Sequence, residues 1–153
     1  MDIYQKLTDM RLELPPPPAK GGVYMPVKKM NERLYYISGC GPKIGDQNFI
    51  GKLGKDLTLE EGQVAARNCI LNILSAIEDE IGDLNRIRSF VKVLVFIASE
   101  TDFFDQPLVA NGATGFLVEL FGEDAGCPSR SAIAVNVLPG NIAVEIEGIV
   151  EID

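Results

Sequence analysis

The chain has 153 residues, 46% of them hydrophobic, and carries a net charge of −8 from 22 acidic and 14 basic side chains. That length and apolar fraction fit one globular domain with a proper core and exclude an intrinsically disordered chain; the acidic balance, without any basic run, disfavours a nucleic-acid partner. Histidine is absent, which removes the commonest general base, the commonest metal ligand and every Ser-His or Cys-His mechanism. No apolar run is long enough to span a bilayer, and the N-terminus lacks the basic, apolar, small-residue order of an export signal. A soluble cytoplasmic protein with no membrane partner is therefore expected. Cys40, Cys69 and Cys127 are odd in number, far apart and in no C-x-x-C arrangement, so free thiols are expected.

In chain order, Ile3, Leu7 and Met10 stand at helical spacing in residues 1–14, and Pro15 to Pro18 end that helix and form a stiff, extended spacer. Residues 1–21 read as an N-terminal extension, and 22–153 as the domain proper. Val23 to Val27 and Leu34 to Ser38 are short β-prone runs around Asn31-Glu32-Arg33, which predicts a hairpin. Gly39, Gly41, Gly45, Gly51 and Gly54 mark a long loop with no phosphate-binding pattern. Thr58-Leu59-Glu60-Glu61 is a capping box that opens a helix with apolar residues at Ala66, Ile70, Ile73, Leu74, Ile77 and Ile81, stopped at Gly82. Residues 87–98 predict the strongest strand: Ile87, Val91, Val93, Val95 and Ile97 on one face, Phe90, Leu94, Phe96 and Ala98 on the other. A second helix is expected across 105–121 on a stripe of Leu108, Phe116, Leu117 and Leu120.

Residues 130–138 and 142–152 are predicted strands joined through Pro139-Gly140, a pair that suits a type II turn. Pairing them as a hairpin puts Ile133, Val135, Val137, Val144, Ile146 and Val150 on a core face. Arg130, Ala132, Ala134, Asn136, Glu145 and Glu147 then share the other face, a good floor for a polar pocket. The element order predicts an α+β domain with both helices on one face of the sheet. Because the central strand is apolar on both sides, the second sheet face needs a cover, and another copy of the chain is the simplest one.

Several of these residues form a recognisable set. Ser38-Gly39 after an apolar strand, Ala66-Arg67 with Asn72, Asn111 on the second helix, and above all Arg130-Ser131, Leu138-Pro139 and Val144-Glu145-Ile146-Glu147 resemble the RidA/YjgF family, also called the endoribonuclease L-PSP group. The resemblance runs from about Gly22 to the C-terminus. It implies a chorismate-mutase-like fold with a mixed sheet, a homotrimer around a central barrel, pockets at the subunit boundaries, and hydrolysis of reactive enamines and imines of the 2-aminoacrylate type to 2-keto acids and ammonia. No metal or organic cofactor is implied. The extension, Cys40 in place of a usual glutamine, and the stretch Gly122 to Cys127 depart from the family pattern and mark a divergent branch.

By the same resemblance, Arg130 matches the arginine that holds the substrate carboxylate, and Glu145 matches the glutamate that positions water. Gly39 matches a position where the backbone approaches the ligand, Tyr24 a pocket-lining tyrosine, and Asn111, Ala132 and Cys40 complete the expected substrate contacts. The residues themselves leave alternatives open. Arg130 can instead form a salt bridge to Glu145 or Glu147. In the expected hairpin Glu145 lies about 13 Å along from Arg130, and Glu147 is nearer. Ser131, on the expected core face and without a base, is no nucleophile. A non-catalytic binder of small carboxylates is the alternative function, and an endoribonuclease the third.

Overall fold

The computed structural model describes residues 2–153. Helix α1 (Ile3–Asp9) opens on Asp2, whose carboxylate accepts from the Tyr4 amide at 2.9 Å. It buries Ile3 and Leu7 in the same core as the rest of the chain. The prolines do not end it. Arg11 takes a left-handed φ of 58° and the Leu12 amide donates back to the Leu7 carbonyl at 2.9 Å, a Schellman-type stop about one turn ahead of Pro15. The proline stretch is then tied to the domain where the buried Ser75 hydroxyl donates to the Pro15 carbonyl at 2.6 Å.

Strands β1 (Val27–Lys29) and β2 (Leu34–Cys40) form the first hairpin. Asn31 makes its turn by accepting from the amides of Arg33 and Leu34. The expected first strand began too early: Val23 to Pro26 lies outside the sheet. Helix α2 (Leu59–Ile81) carries the capping box in both directions, and Gly82 closes it with a φ of 82°. After a single 3₁₀ turn comes β3 (Ile87–Ala98), then α3 (Gln106–Phe121), the one-turn α4 (Glu123–Gly126), β4 (Ser129–Val135) and β5 (Val144–Ile152).

The strands form one mixed sheet in the order β1-β2-β5-β3-β4. The expected hairpin of the last two strands is not present. Leu138 to Asn141 does make the turn, with the Asn141 amide on the Leu138 carbonyl at 3.0 Å and Gly140 at φ 67°, but the strands it joins separate around β3. β4 pairs parallel to β3, and β5 slots antiparallel between β2 and β3. The cause is α3: a strand–helix–strand crossover lays its second strand parallel beside the first. An apolar strand needing two partners then receives β4 on one side and β5 on the other.

This changes which residues share a face. Val93, Val95 and Ile97 of β3 and Val144, Ile146, Val150 and Ile152 of β5 are buried beneath the helices. A register shift between Phe90 and Lys92 reverses the phase of β3, so Phe90 packs inward against Phe121 while Val91 is exposed. Parallel pairing sets Arg130 opposite Val93 and Ala132 opposite Val95, on the helix side, while Ser131 and Ile133 pair with Leu94 and Phe96 on the open side. Ile133 and Val137, expected in the core, are 43% and 62% exposed. Ser131 is likewise on the open face, where its hydroxyl accepts from Lys92 Nζ at 2.9 Å. On α3 the buried stripe runs through Val109, Ala113, Phe116, Leu117 and Leu120, and Leu108 is turned outward.

Helices α2 and α3 cross where Gly112 meets the α2 backbone: a Cβ there would lie 2.2 Å from the Gln63 carbonyl oxygen. Gly112→Ala is expected to destabilise the fold by about 1–3 kcal/mol, the usual cost of overpacking, read as a lower urea midpoint at an unchanged slope.

Candidate functional site

The sequence places two groups capable of chemistry, and the sheet separates them. Glu145 lies near the start of β5, opposite Phe96, with its neighbours Val144 and Ile146 buried, so its side chain is on the open face. Its carboxylate rests over Gly39: a Cβ on Gly39 would come 2.8 Å from Glu145 Oε1. A bulge in the β2–β5 pairing between Ile37 and Cys40 brings Gly39 to this place. Here glycine is required for close approach. Glu145, Gly39, Ser38, Tyr24, Gly21 and Pro139 line a cleft of about 370 Å³. Half-burial raises the Glu145 pKa, and the charge of Glu147 adds to that effect.

Glu147 has a different role. It accepts a hydrogen bond from the Tyr36 hydroxyl at 2.8 Å and does not line the cleft. Of the two carboxylates only Glu145 lines this cleft.

Arg130 is the second residue of β4 and its guanidinium turns toward α3. Nη1 donates to Asn111 Oδ1 at 2.7 Å and to Thr114 Oγ1 at 3.1 Å. Asn111 and Thr114 are three residues apart on one helix face, the spacing that lets both meet a single group. Arg130 is in no ion pair among the described residues, so the alternative reading of a bridge to Glu145 or Glu147 is not realised. Both protein partners are neutral oxygens and both take the same nitrogen. Nε and Nη2, the edge that matches a carboxylate fork, donate to no described protein acceptor.

Within one chain the two groups do not meet. β4 and β5 lie on either side of β3, about 9–10 Å apart, and the side chains are on opposite faces. Tyr24 and Gly39 stand with Glu145; Asn111 and Ala132 stand with Arg130.

Cys40 is buried beside the floor of the cleft, with Sγ 3.6 Å from the Ser38 carbonyl. Burial, then the charge of Glu145, pushes its thiol up to about 12. It is a neutral group with no nucleophilic character near pH 7. The three cysteines are free, and Cys127 is exposed.

Sequence reading missed Thr114 and gave Gly21, Ser38 and Pro139 no part in the site, where they line the cleft. Thr114 was detectable as the residue one helical turn after Asn111. Asn72 proves to be a support. Its buried amide donates to the carbonyls of Gly41 and Lys43 at 2.9 and 3.0 Å, tying the loop after β2 to α2. Tyr24 is held by its own segment, its hydroxyl accepting from the Gly21 amide at 3.1 Å.

A mixed five-stranded sheet backed by helices on one face, with its ionic groups at the strand ends, defines a chorismate-mutase-like α+β subunit. Comparison with known proteins agrees. The family pattern described as "YjgF/chorismate mutase-like, putative endoribonuclease" matches residues 5–151, and the chain belongs to that family. Protein TCP17 of Trypanosoma cruzi is 43% identical over 120 residues, 77% of this chain and 74% of that protein. A Shewanella oneidensis structure bearing the same endoribonuclease description is 27% identical, with a TM-score of 0.94 over 99% of this chain and 100% of its own. Escherichia coli TdcF, solved with bound serine, is 25% identical, with a TM-score of 0.60 over 92% of this chain and 96% of its own. No helix among the described residues is long and apolar enough to cross a membrane.

The electrostatics of Glu145 give a signed prediction. Its pKa in the folded protein is raised above the ordinary 4.5, so at neutral pH the folded state carries a penalty that the unfolded chain does not. Glu145→Gln is expected to stabilise the fold at pH 7 by less than about 1 kcal/mol, since the group is half-exposed. The difference should shrink as pH falls through the raised value and be gone below 4.5. Denaturation midpoints of both proteins across that range are the check.

Proposed function

We propose that the protein hydrolyses 2-imino acids and their enamine tautomers to 2-keto acids and ammonia, at sites completed between copies of the chain. The carrying observation is the Arg130 guanidinium, fixed through Nη1 by Asn111 and Thr114 with its Nε–Nη2 edge free of protein acceptors. Such an edge takes a carboxylate by two parallel hydrogen bonds. The bound serine of TdcF, a small amino acid, is of the same ligand class.

Glu145 supplies the second half. A water in the cleft adds to the C=N carbon while the carboxylate accepts one of its protons and passes it to nitrogen, giving a carbinolamine. The carboxylate then takes the carbinolamine hydroxyl proton and delivers it to nitrogen as the C–N bond breaks, so that ammonia leaves behind a 2-keto acid. An enamine enters by gaining a proton at its β-carbon first. The raised pKa of Glu145 makes it a better base than an exposed glutamate and lets it hold the proton between steps. No step needs histidine or a redox partner.

Since the two halves lie on opposite faces of one sheet, the reaction needs Arg130 of one copy beside Glu145 of another. The open face supports such an assembly: Tyr36, Val91 and Ile133 are each about 40% exposed there, beside half-buried Leu94, Phe96 and Ile149. Threefold closure follows the family resemblance. The endoribonuclease description of the family finds no support at this site, which has one cleft-facing carboxylate, no histidine and no basic track for a phosphate chain.

Arg130→Ala is expected to lower kcat/KM for freshly generated 2-aminoacrylate by about a hundredfold or more, the loss of two charge-assisted hydrogen bonds, with the oligomer intact. Thr114→Val, which removes one brace, should act chiefly on KM. Keto-acid release unaffected by Arg130→Ala would contradict the assignment. Keto-acid binding by calorimetry, with no turnover of any imine, would make the protein a carboxylate binder.

A further inference from the structure

The Glu145 cleft continues into a second recess of about 190 Å³ behind Gly39. The two share Gly21, Tyr24, Ser38 and Gly39. The floor is made by β2 and the loop after it, through Gly39, Cys40 and Gly41; the opposite wall is Pro18, Ala19, Gly21 and Tyr24 of the N-terminal segment. No lining residue is charged at neutral pH. Cys40, a neutral thiol, acts as a small apolar group.

The wall is held at both ends and free between them. Ser75, fully buried on α2, fixes Pro15; Ser38 fixes Met25 by donating to its carbonyl at 2.7 Å. The backbone of residues 16–24 makes no hydrogen bond to backbone elsewhere. The consecutive prolines give the first part of this span extended stiffness without such bonds. The position of Pro18 and Ala19 over the recess is therefore set by the Ser75 anchor and the reach of the proline run.

We propose that this recess is the side-chain subsite of the enzyme: it receives the apolar side chain of a 2-imino acid, and the N-terminal segment sets how large that side chain can be. The inference rests on the imine-hydrolysis reading and deepens it, naming the substrate class as 2-imino acids with apolar side chains. About 190 Å³ accommodates a branched aliphatic or single-ring group, since an apolar cavity of about 150 Å³ holds benzene. An acidic side chain would be desolvated there and repelled by Glu145. Residues 16–19 thus provide specificity, and Ser75 is a positioning residue acting through them.

The test compares 2-imino acids formed in situ from alanine, leucine and aspartate by an amino-acid oxidase. Wild type should accept the alanine and leucine products and discriminate against that of aspartate. Ala19→Leu narrows the recess from an exposed position, so the fold is not at risk. It should lower the leucine-to-alanine ratio of kcat/KM by ~10-fold or more through KM, the scale at which a hydrophobic pocket discriminates. Pro18→Ala should move the ratio the opposite way. Lys20→Ala, next to these residues but outside the lining, should leave it unchanged. Turnover whose ratio ignores both wall variants, or shifts equally in Lys20→Ala, overturns the subsite alone. If wild type turns over none of these imines and binds none of the matching keto acids by calorimetry, the imine reading fails and the subsite with it.

Discussion

β3 is the strand on which the rest of the molecule depends. It is apolar along both faces and needs a hydrogen-bonding partner along both edges. α3 returns the chain beside it in parallel as β4, and the turn at Pro139-Gly140 carries the chain over to its other edge as β5. Arg130 is the second residue of one of these strands and Glu145 the second of the other. The pairing that completes the sheet also splits the ionic groups: Arg130 falls in register with Val93 under the helices, and Glu145 with Phe96 on the face the helices leave bare. On the proposed reading, a single subunit carries two half-sites back to back.

Each half is prepared by a different device. Around Arg130 the preparation is hydrogen bonding: Asn111 and Thr114, one helical turn apart, lock one nitrogen and orient the remaining edge of a group that is in no ion pair among the described residues. Around Glu145 it is shape. Gly39 removes a side chain where the carboxylate lies, the bulge in β2 brings that glycine into place, and Asn72 ties down the loop that follows. Half-burial and the neighbouring Glu147 then raise the carboxylate's affinity for a proton. Tyr36 engages Glu147, and Glu145 is the carboxylate that lines the cleft. The N-terminal segment closes this half from above. Its helix is stapled into the core by Ile3 and Leu7, so the wall over the cleft is part of the fold.

Much of this was legible in the sequence, and the failures have a common cause. The capping box of α2, the strength of β3, the turn at Leu138 to Asn141 and the alternation along β5 are local signals, and each appears where the residues indicate. The α+β architecture with helices on one face follows from element order. What local pattern could not give was which strands pair. Pro139-Gly140 makes the type II turn its residues call for, yet a turn fixes only the path of the chain. The crossover through α3 decided the partner, and with it the faces of Arg130, Ser131, Ala132 and Ile133. The bulge at Phe90-Val91 is similar: both residues suit a strand, and only packing against Phe121 selects which turns inward. At the site, residue types and the family resemblance named Arg130, Asn111, Gly39 and Glu145. Their separation into two groups required the topology. Ser75 and the wall at Pro18 and Ala19 were beyond reach because their part depends on contacts 60 residues apart in sequence.

The central claim is that a working site takes Arg130 from one copy and Glu145 from another. Subunit mixing tests it most directly. Arg130→Ala and Glu145→Gln proteins, each inactive as a homo-oligomer, are unfolded together, refolded, and assayed for keto-acid release, with native mass spectrometry confirming mixed assemblies. Sites shared between copies predict that mixing restores a fraction of wild-type activity, because some boundaries pair an intact Arg130 with an intact Glu145. Mixed oligomers that remain as inactive as their parents would contradict the account.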